Sequence, residues 1–132
     1  MIQRPGEKRD SSSAEAAPLP AFARLGEGAY HARVASTPGV AVVLFSAPHC
    51  GACRAWKRLL PDAVAGIADA LFEVDVGEAT GVARYFAIFH LPTVYLYRDG
   101  RFHAELQCEA RPESVRQAAR ALLAAPPHEE PG

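Results

Sequence analysis

The chain is poor in cysteine, in excess charge and in long apolar runs, and each shortage excludes a class of protein. Its 132 residues include three cysteines, an odd number that does not suit a disulfide framework. The formal net charge of −1 gives no reason to expect nucleic acid or a membrane surface as a partner. No apolar run approaches the roughly 18 residues that suggest a membrane span. The length suits one globular domain with short tails, and we find no internal repeat.

The two ends of the chain lack apolar periodicity. Residues 1–18 are polar and then rich in small residues and proline, which predicts a flexible leader. Because this start carries charge but no apolar segment, it is unlike a secretory signal peptide, and we expect the protein in the cytoplasm. Residues 125–132 contain three prolines and predict a disordered tail. We therefore expect the folded domain over residues 19–124.

Between these ends, strand-like and helix-like apolar patterns alternate. The run Val40–Ser46 is almost continuously apolar and β-branched, as expected of a central strand buried on both faces. Asp99-Gly100 separates two strand-like runs, which is a strong hairpin signal. Pro61 is expected to kink or restart the second helix. The pattern predicts strands at 21–25, 40–46, 71–76, 93–97 and 101–106, and helices at 27–36, 50–69 in two parts, 78–89 and 112–123. This order predicts an α/β protein with a mixed sheet flanked by helices.

The motif Cys50-Gly51-Ala52-Cys53 follows the central strand and opens the second predicted helix. A cysteine at a helix N-terminus lies among unpaired N–H groups at the positive end of the helix dipole, which favours the thiolate. The thiolate is the species that attacks another disulfide. A spacing of three residues places both sulfurs on the same side of the first turn. The motif therefore predicts thiol–disulfide exchange, with a buried cysteine pair that never cycles as the alternative.

Four landmarks in the correct order resemble the thioredoxin family over roughly residues 20–124. They are the CxxC segment at 45–54, Val74-Asp75-Val76 on the third strand, the loop Leu91-Pro92-Thr93 and the hairpin at 97–101. The resemblance implies a thioredoxin fold, with a mixed central sheet of about five strands flanked by four helices. It also implies that Pro92 follows a cis peptide bond and lies beside the two sulfurs. Substrates would then bind as extended segments along Leu91.

The resemblance further implies a thiol–disulfide oxidoreductase that reduces protein disulfides through a Cys50/Cys53 dithiol–disulfide cycle. Cys50 would be the exposed nucleophile, and Cys53 would resolve the mixed disulfide. No cofactor other than this disulfide is expected. The expected partners are disulfide-containing proteins and an upstream dithiol reductant, with the protein itself a monomer. The expected substrate-binding residues are His49, Gly51, Ala52, Leu91, Pro92 and Thr93.

The sequence departs from the family pattern where a buried charge pair is usual. The buried Asp of the family aligns with Leu44, and the Lys that often faces it aligns with Leu71. That Asp is commonly given the task of taking the proton from the second cysteine, so release of a partner from Cys50 is expected to be slow. The alternative function is therefore a non-catalytic thioredoxin-fold binding module or a thiol redox switch, using the groove beside Pro92.

Several side chains near the motif are candidate modulators. His49 replaces the usual Trp, and a protonated imidazole beside the sulfur would favour the thiolate. Lys57 and Arg54 carry positive charge close to the motif, although solvated positions on a helix face are the favoured interpretation. Cys108 would form a regulatory disulfide, dimerise the protein or trap Cys50; the alternative is a small buried apolar residue.

The remaining candidate side chains are two acids on the third predicted strand and a tryptophan on the second predicted helix. Glu73 and Asp75 point to the same side of their strand, and either is a candidate replacement for the missing acid, although a solvated strand end is favoured. Trp56 is expected to pack in the core.

A metal site would need the ligands His49, Cys50 and Cys53, with Cys108 or His90 as a fourth. Zinc sites usually show two ligand pairs, and this chain has one, so no metal is expected.

Overall fold

A computed structural model describes residues 20–132 as one five-stranded mixed sheet with helices on both faces. The strand order is β1-β3-β2-β4-β5; β3 is parallel to both β1 and β2, while β4 is antiparallel to β2 and β5. This architecture confirms the predicted fold class. The predicted leader at 1–18 lies outside the described residues. The elements are β1 Phe22–Arg24, α1 Tyr30–Ala35, β2 Val40–Ser46, α2 Gly51–Ala63, β3 Ala70–Asp75, α3 Thr80–Tyr85, β4 Thr93–Arg98, β5 Arg101–Glu105 and α4 Pro112–Ala124.

The central strand β2 divides the core into two layers. Val43 and Phe45 pack in a cluster with residues of α1 and α3. Val42 and Leu44, which alternate with them, pack in a second cluster with residues of α2 and α4. Both faces of β2 are therefore buried, as its continuous apolar run predicts.

The hairpin between β4 and β5 forms at the predicted dipeptide. Asp99 and Gly100 have φ values of +50° and +82°, the left-handed conformation that a two-residue hairpin turn requires. A Cβ on Gly100 would collide with the backbone carbonyl of Ala35 at the end of α1. Glycine is therefore required both for the turn and for its contact with α1.

Two helices differ from their predicted lengths. Helix α2 continues through Pro61 and ends at Ala63, so the predicted second helical part at 62–69 is wrong. Pro61 has no N–H to donate to the carbonyl of Lys57, and the helix ends two residues after it. Helix α3 ends at Tyr85 rather than at residue 89, because Ala87 adopts a φ of +53° and reverses the chain. Phe89, the last residue of the predicted helix, is 90% exposed.

The segment 125–132 follows α4 without helix or strand and lies along the β5 side of the sheet. The backbone N–H of His128 donates to the carbonyl of His103 on β5, at 2.7 Å. The hydroxyl of Tyr85 donates to the carboxylate of Glu130, at 3.2 Å. The first contact covers part of the edge strand β5, and the second joins the segment to the end of α3. Disorder of this segment stays a prediction.

Candidate active site

The two cysteines of the motif lie at the N-terminus of α2. Cys50 is the N-cap residue, in extended conformation, and forms a disulfide with Cys53 across a Cα–Cα distance of 5.2 Å. The Sγ atom of Cys50 accepts a hydrogen bond from the backbone N–H of Cys53, at 3.1 Å. Cys50 is partly exposed, whereas Cys53 is only 3% exposed. This difference fits an accessible attacking sulfur and a sheltered resolving sulfur.

The proline loop reaches the motif through the sheet register. Phe45 on β2 pairs with Thr93 on β4, so the start of β4 lies beside the end of β2, which leads directly to the motif. The Leu91–Pro92 peptide is cis, and both residues are partly exposed. The side chain of Thr93 is buried, and its hydroxyl donates to the carbonyl of His90 at 2.7 Å.

The predicted binding residues on the motif's own side are accessible. His49, Gly51 and Ala52 are all exposed. Thr93, also a predicted binding residue, is instead buried, with 3% of its surface exposed. The fold thus brings the motif, after the end of β2, and the proline loop, before the start of β4, to the same end of these two inner strands.

Leu44 and Leu71, at the positions of the family's charge pair, are buried in the apolar layer beneath α2 and α4. A different charge pair lies next to them. Lys57 Nζ, on α2, is 3.0 Å from Glu73 Oε1, and the hydroxyl of Ser46 donates to Glu73 Oε2 at 3.1 Å. The register pairs Leu44 directly with Glu73, so the acidic group lies one strand away from its usual position.

The interpretation of Glu73 and Asp75 as solvated residues at a strand end is wrong. Both are buried, with 8% and 6% of their surface exposed. Asp75 lies 3.3 Å from a guanidinium nitrogen of Arg24 and accepts the backbone N–H of Gly77 at 2.8 Å. Alternation along β3 gives the side to which these carboxylates point, but the partners that bury them come from β1, β2 and α2.

Glu73 and the resolving cysteine share a cavity of about 220 Å³. Its walls come from β1, from the end of β2, from the first turns of α2 and from β3. The lining residues are Arg24, Ser46, Ala47, Pro48, Cys53, Arg54, Lys57 and Glu73. Sequence reasoning missed this connection, since no local pattern joins Ser46 and Lys57 to a residue on β3.

Comparison with known proteins identifies the family. The family model described as thioredoxin matches residues 21–121. The chain belongs to the thioredoxin family. Rice (Oryza sativa subsp. japonica) thioredoxin H2-2 is 37% identical over 68 residues, which are 50% of this chain and 51% of that protein. The matched part therefore spans about half the length of this curated relative.

Solved structures agree on the fold of this thioredoxin-family chain. The oxidised form of mitochondrial thioredoxin 3 from Saccharomyces cerevisiae has a TM-score of 0.64 at 20% identity, covering 76% of this chain and 94% of the yeast protein. The zinc-bound form of human ERp44 also has a TM-score of 0.64, at 17% identity, covering 76% of this chain and 31% of ERp44. At these identities the likeness establishes the thioredoxin fold.

The other predicted modulators of this thioredoxin-family site lie in different environments. Arg54 donates to the carbonyl of Pro48 at 3.4 Å, next to the motif. Cys108 is partly buried against the core layer of α2 and α4, near Glu109 and the first turns of α4. Burial, and secondarily the charge of Glu109, raise the pKa of the Cys108 thiol. These contacts favour the protonated form of the third cysteine.

Within residues 20–132, no group of three or more His, Cys, Asp and Glu side chains is arranged to hold a metal ion. His90, one of the candidate ligands, lies instead 3.8 Å from the carboxylate of Glu105. In the same range, no helix is both long enough and apolar enough to cross a membrane.

Proposed function

We propose that this thioredoxin-family protein reduces protein disulfides as a thiol–disulfide oxidoreductase. The observation that carries the proposal is the sulfur pair itself: a partly exposed Cys50 at a helix N-terminus, joined to a buried Cys53 three residues on. Unpaired N–H groups and the helix dipole favour the thiolate of Cys50 once the disulfide is reduced. Family membership and the disulfide-forming pair both support this activity.

The reaction proceeds in two exchanges. The Cys50 thiolate attacks a sulfur of the substrate disulfide, a mixed disulfide forms, and the substrate's other sulfur leaves as a thiolate. Cys53 then loses its proton and attacks Cys50 Sγ, which releases the second substrate thiolate and forms the Cys50–Cys53 disulfide. The substrate gains two electrons and the protein loses two. An upstream dithiol reductant returns the protein to its dithiol form.

The substrate would bind as an extended segment between the motif and the proline loop. The exposed residues His49, Gly51 and Ala52 form one side of this groove, and Leu91 and Pro92 form the other. A partly exposed backbone before β4 is suited to strand-like pairing with a peptide. The substrates are thus disulfide-containing proteins whose cysteine lies in an accessible, extended segment.

A reducing compartment, the cytoplasm, suits this composition. One cysteine pair and one further thiol are few for a protein that relies on structural disulfides. We propose that the protein works as a monomer. Burial raises the pKa of the Cys108 thiol, which lowers its tendency to form a disulfide between two copies.

A redox titration in thiol–disulfide buffers, read by alkylation and intact mass, tests the proposal. In Cys108→Ser protein, the two cysteines of the motif are the only thiols that titrate. A reversible Cys50–Cys53 disulfide with a potential near or below about −250 mV supports a reductase, because relatives span roughly −270 to −120 mV. A pair that forms no reversible disulfide contradicts the proposal and favours the binding module instead.

Trapping provides a second test. With Cys53→Ser, the mixed disulfide on Cys50 cannot be resolved, so adducts with protein substrates should accumulate. Cys50→Ser is the matched control and should form none. Turnover of a model disulfide with a regenerating reductant then separates an oxidoreductase from a module that binds only stoichiometrically.

A further inference from the structure

We propose that Glu73 accepts, through water in the shared cavity, the proton that leaves Cys53 during the resolving step, and that Lys57 and Ser46 position its carboxylate. This inference rests on the proposed function, because it concerns a step of that reaction. In this proposal Glu73 acts on the sulfur through water and not by direct contact, whereas Lys57 and Ser46 act by positioning Glu73. The juxtaposition of the buried Glu73 carboxylate and the buried Cys53 around one cavity carries the proposal.

The carboxylate of Glu73 is held in place and retains accepting capacity. Its side chain is 11% exposed, one oxygen contacts Lys57 Nζ at 3.0 Å and the other accepts from Ser46 Oγ at 3.1 Å. A carboxylate has about four lone-pair sites, so two contacts leave sites that accept hydrogen bonds from water. Burial without a partner would be costly, and these two contacts make the charged form tolerable.

The cavity has the size and polarity that water requires. Its volume of about 220 Å³ far exceeds the roughly 30 Å³ share of one water molecule, and its lining includes a hydroxyl, an ammonium, two guanidinium groups and a carboxylate. Cys53 and Glu73 lie on different walls of this space, on α2 and β3. A water molecule with two to four polar partners is stable in such a site, and it connects the thiol to the carboxylate.

The charges around Glu73 are mainly positive. Lys57 and Arg54 approach from α2 and Arg24 from β1, while β2 contributes the neutral Ser46. Asp75, on the same strand, is engaged with Arg24. This arrangement leads to two opposite expectations for removing the Glu73 charge. If the carboxylate mattered only as a charge, its loss would free the cations to stabilise the Cys53 thiolate, and resolution would accelerate; if it accepts the proton, resolution slows.

The step balances without a further reactant. The proton of Cys53 passes to water and a proton of that water passes to Glu73, while the Cys53 thiolate attacks Cys50 Sγ. The bond between Cys50 and the substrate breaks, and its electron pair leaves with the substrate thiolate. Glu73 then returns the proton to solvent through the same cavity. The dithiol is oxidised, and the substrate disulfide is reduced.

The test compares Glu73→Gln with the parent, both in Cys108→Ser protein, using a symmetrical disulfide that releases a coloured thiolate in each exchange. At high disulfide concentration, attack by Cys50 gives a fast phase that depends on concentration, and resolution by Cys53 gives a slower first-order phase. We expect the attack rate to change by less than about twofold. Near pH 7 the resolving rate should fall about tenfold or more, within reach of a lost general base.

The pH profile separates a proton acceptor from a merely structural role. Above a pH of about 8.5 an ordinary thiol ionises unaided, so the deficit of Glu73→Gln should shrink as the pH rises. Glu78→Gln is the matched control, since it removes one carboxylate from an exposed position outside the cavity. It should leave both phases unchanged.

Faster resolution in Glu73→Gln, or a deficit that is constant with pH, overturns the proposal. If Glu73→Gln proves unstable to urea, Ser46→Ala tests the proposal in its place. Loss of the hydroxyl should slow the resolving step less than Glu73→Gln does, with the same pH dependence. A resolving rate equal to the parent's contradicts the positioning role of Ser46. If the parent shows no attack phase, the proposed function fails, and this inference fails with it.

Discussion

Replacing Leu44 with aspartate restores the residue type usual for the thioredoxin family at this position, and we expect it to destabilise this protein. Leu44 is 0% exposed and packs in the apolar layer of α2 and α4. Removing a fully buried leucine side chain costs about 1.5–3 kcal/mol of apolar burial. Burying a carboxyl without a partner costs about 1–3 kcal/mol more. The free energy of unfolding should therefore fall by roughly 3–6 kcal/mol, a large part of the about 5–15 kcal/mol typical of a domain.

The neighbouring strand makes this loss dependent on pH. The sheet register places residue 44 beside Glu73, so the new carboxyl would meet an existing carboxylate as well as an apolar core. Burial and like charge both raise its pKa in the folded state above the unfolded value of about 3.9. An acid with a raised folded pKa favours folding in its protonated form. The variant should thus lose further stability as the pH rises from about 4 toward neutral, by at most about 1.4 kcal/mol per pH unit.

Urea unfolding of the parent, Leu44→Asp and Leu44→Asn at pH 4.5 and 7.5 measures both effects. The asparagine variant is the matched control, because it has a similar size and polarity but no titrating group. Its stability relative to the parent should be nearly the same at both pH values, whereas the difference between the aspartate and asparagine variants should grow with pH. An aspartate variant within about 1 kcal/mol of the parent, or a difference that shrinks with pH, would refute the reasoning.

Three further outcomes are expected. Burial and the neighbouring charge hold the thiol pKa of Cys108 above its ordinary value. In Cys50→Ser/Cys53→Ser protein at pH 7.5, iodoacetamide should therefore alkylate Cys108 at least about threefold more slowly in the folded than in the urea-unfolded state. Equal rates would contradict this. The hydroxyls of Tyr30 and Tyr97 lie 2.6 Å apart in the core, and burial first, then the neighbouring tyrosine, raises the pKa of Tyr30 far above its ordinary value. Stability should therefore be unaffected below about pH 10 and fall above it, with a shallower fall in Tyr30→Phe than in the parent; equal slopes in urea titrations would oppose this assignment. Gly100→Ala should lower the free energy of unfolding by about 1–3 kcal/mol, because the turn needs a positive φ and the added methyl meets the backbone of α1; an unchanged urea midpoint would argue against both constraints.

The sequence alone predicted those features of the protein that depend on residues close together in the chain. The apolar run of β2 predicted its limits at Val40 and Ser46, and Asp99-Gly100 predicted the hairpin turn. The position of Cys50 and Cys53 after a buried strand and at the start of a helix predicted the redox pair. Each of these signals depends on backbone preferences or on a period of a few residues, which the chain carries wherever it folds.

The ends of helices were less predictable. Spacing alone extended α3 to Phe89, but the left-handed conformation of Ala87 ends the helix before that residue and leaves the ring exposed. Apolar residues after Pro61 suggested more helix, yet Val64 reaches the core from a turn. An apolar residue at helical spacing packs equally well from a turn, so its periodicity does not fix where a helix stops.

Tertiary structure alone decided the environment of the resolving cysteine. The sequence showed that the usual acid is absent at Leu44 and that Glu73 points to one side of its strand. Only the parallel register of β2 and β3, with α2 packed across them, joins Glu73 to Ser46 and Lys57 and places it at the same cavity as Cys53. Strand alternation gives the direction of a side chain, whereas its partners depend on which elements the sheet brings together across long separations in sequence.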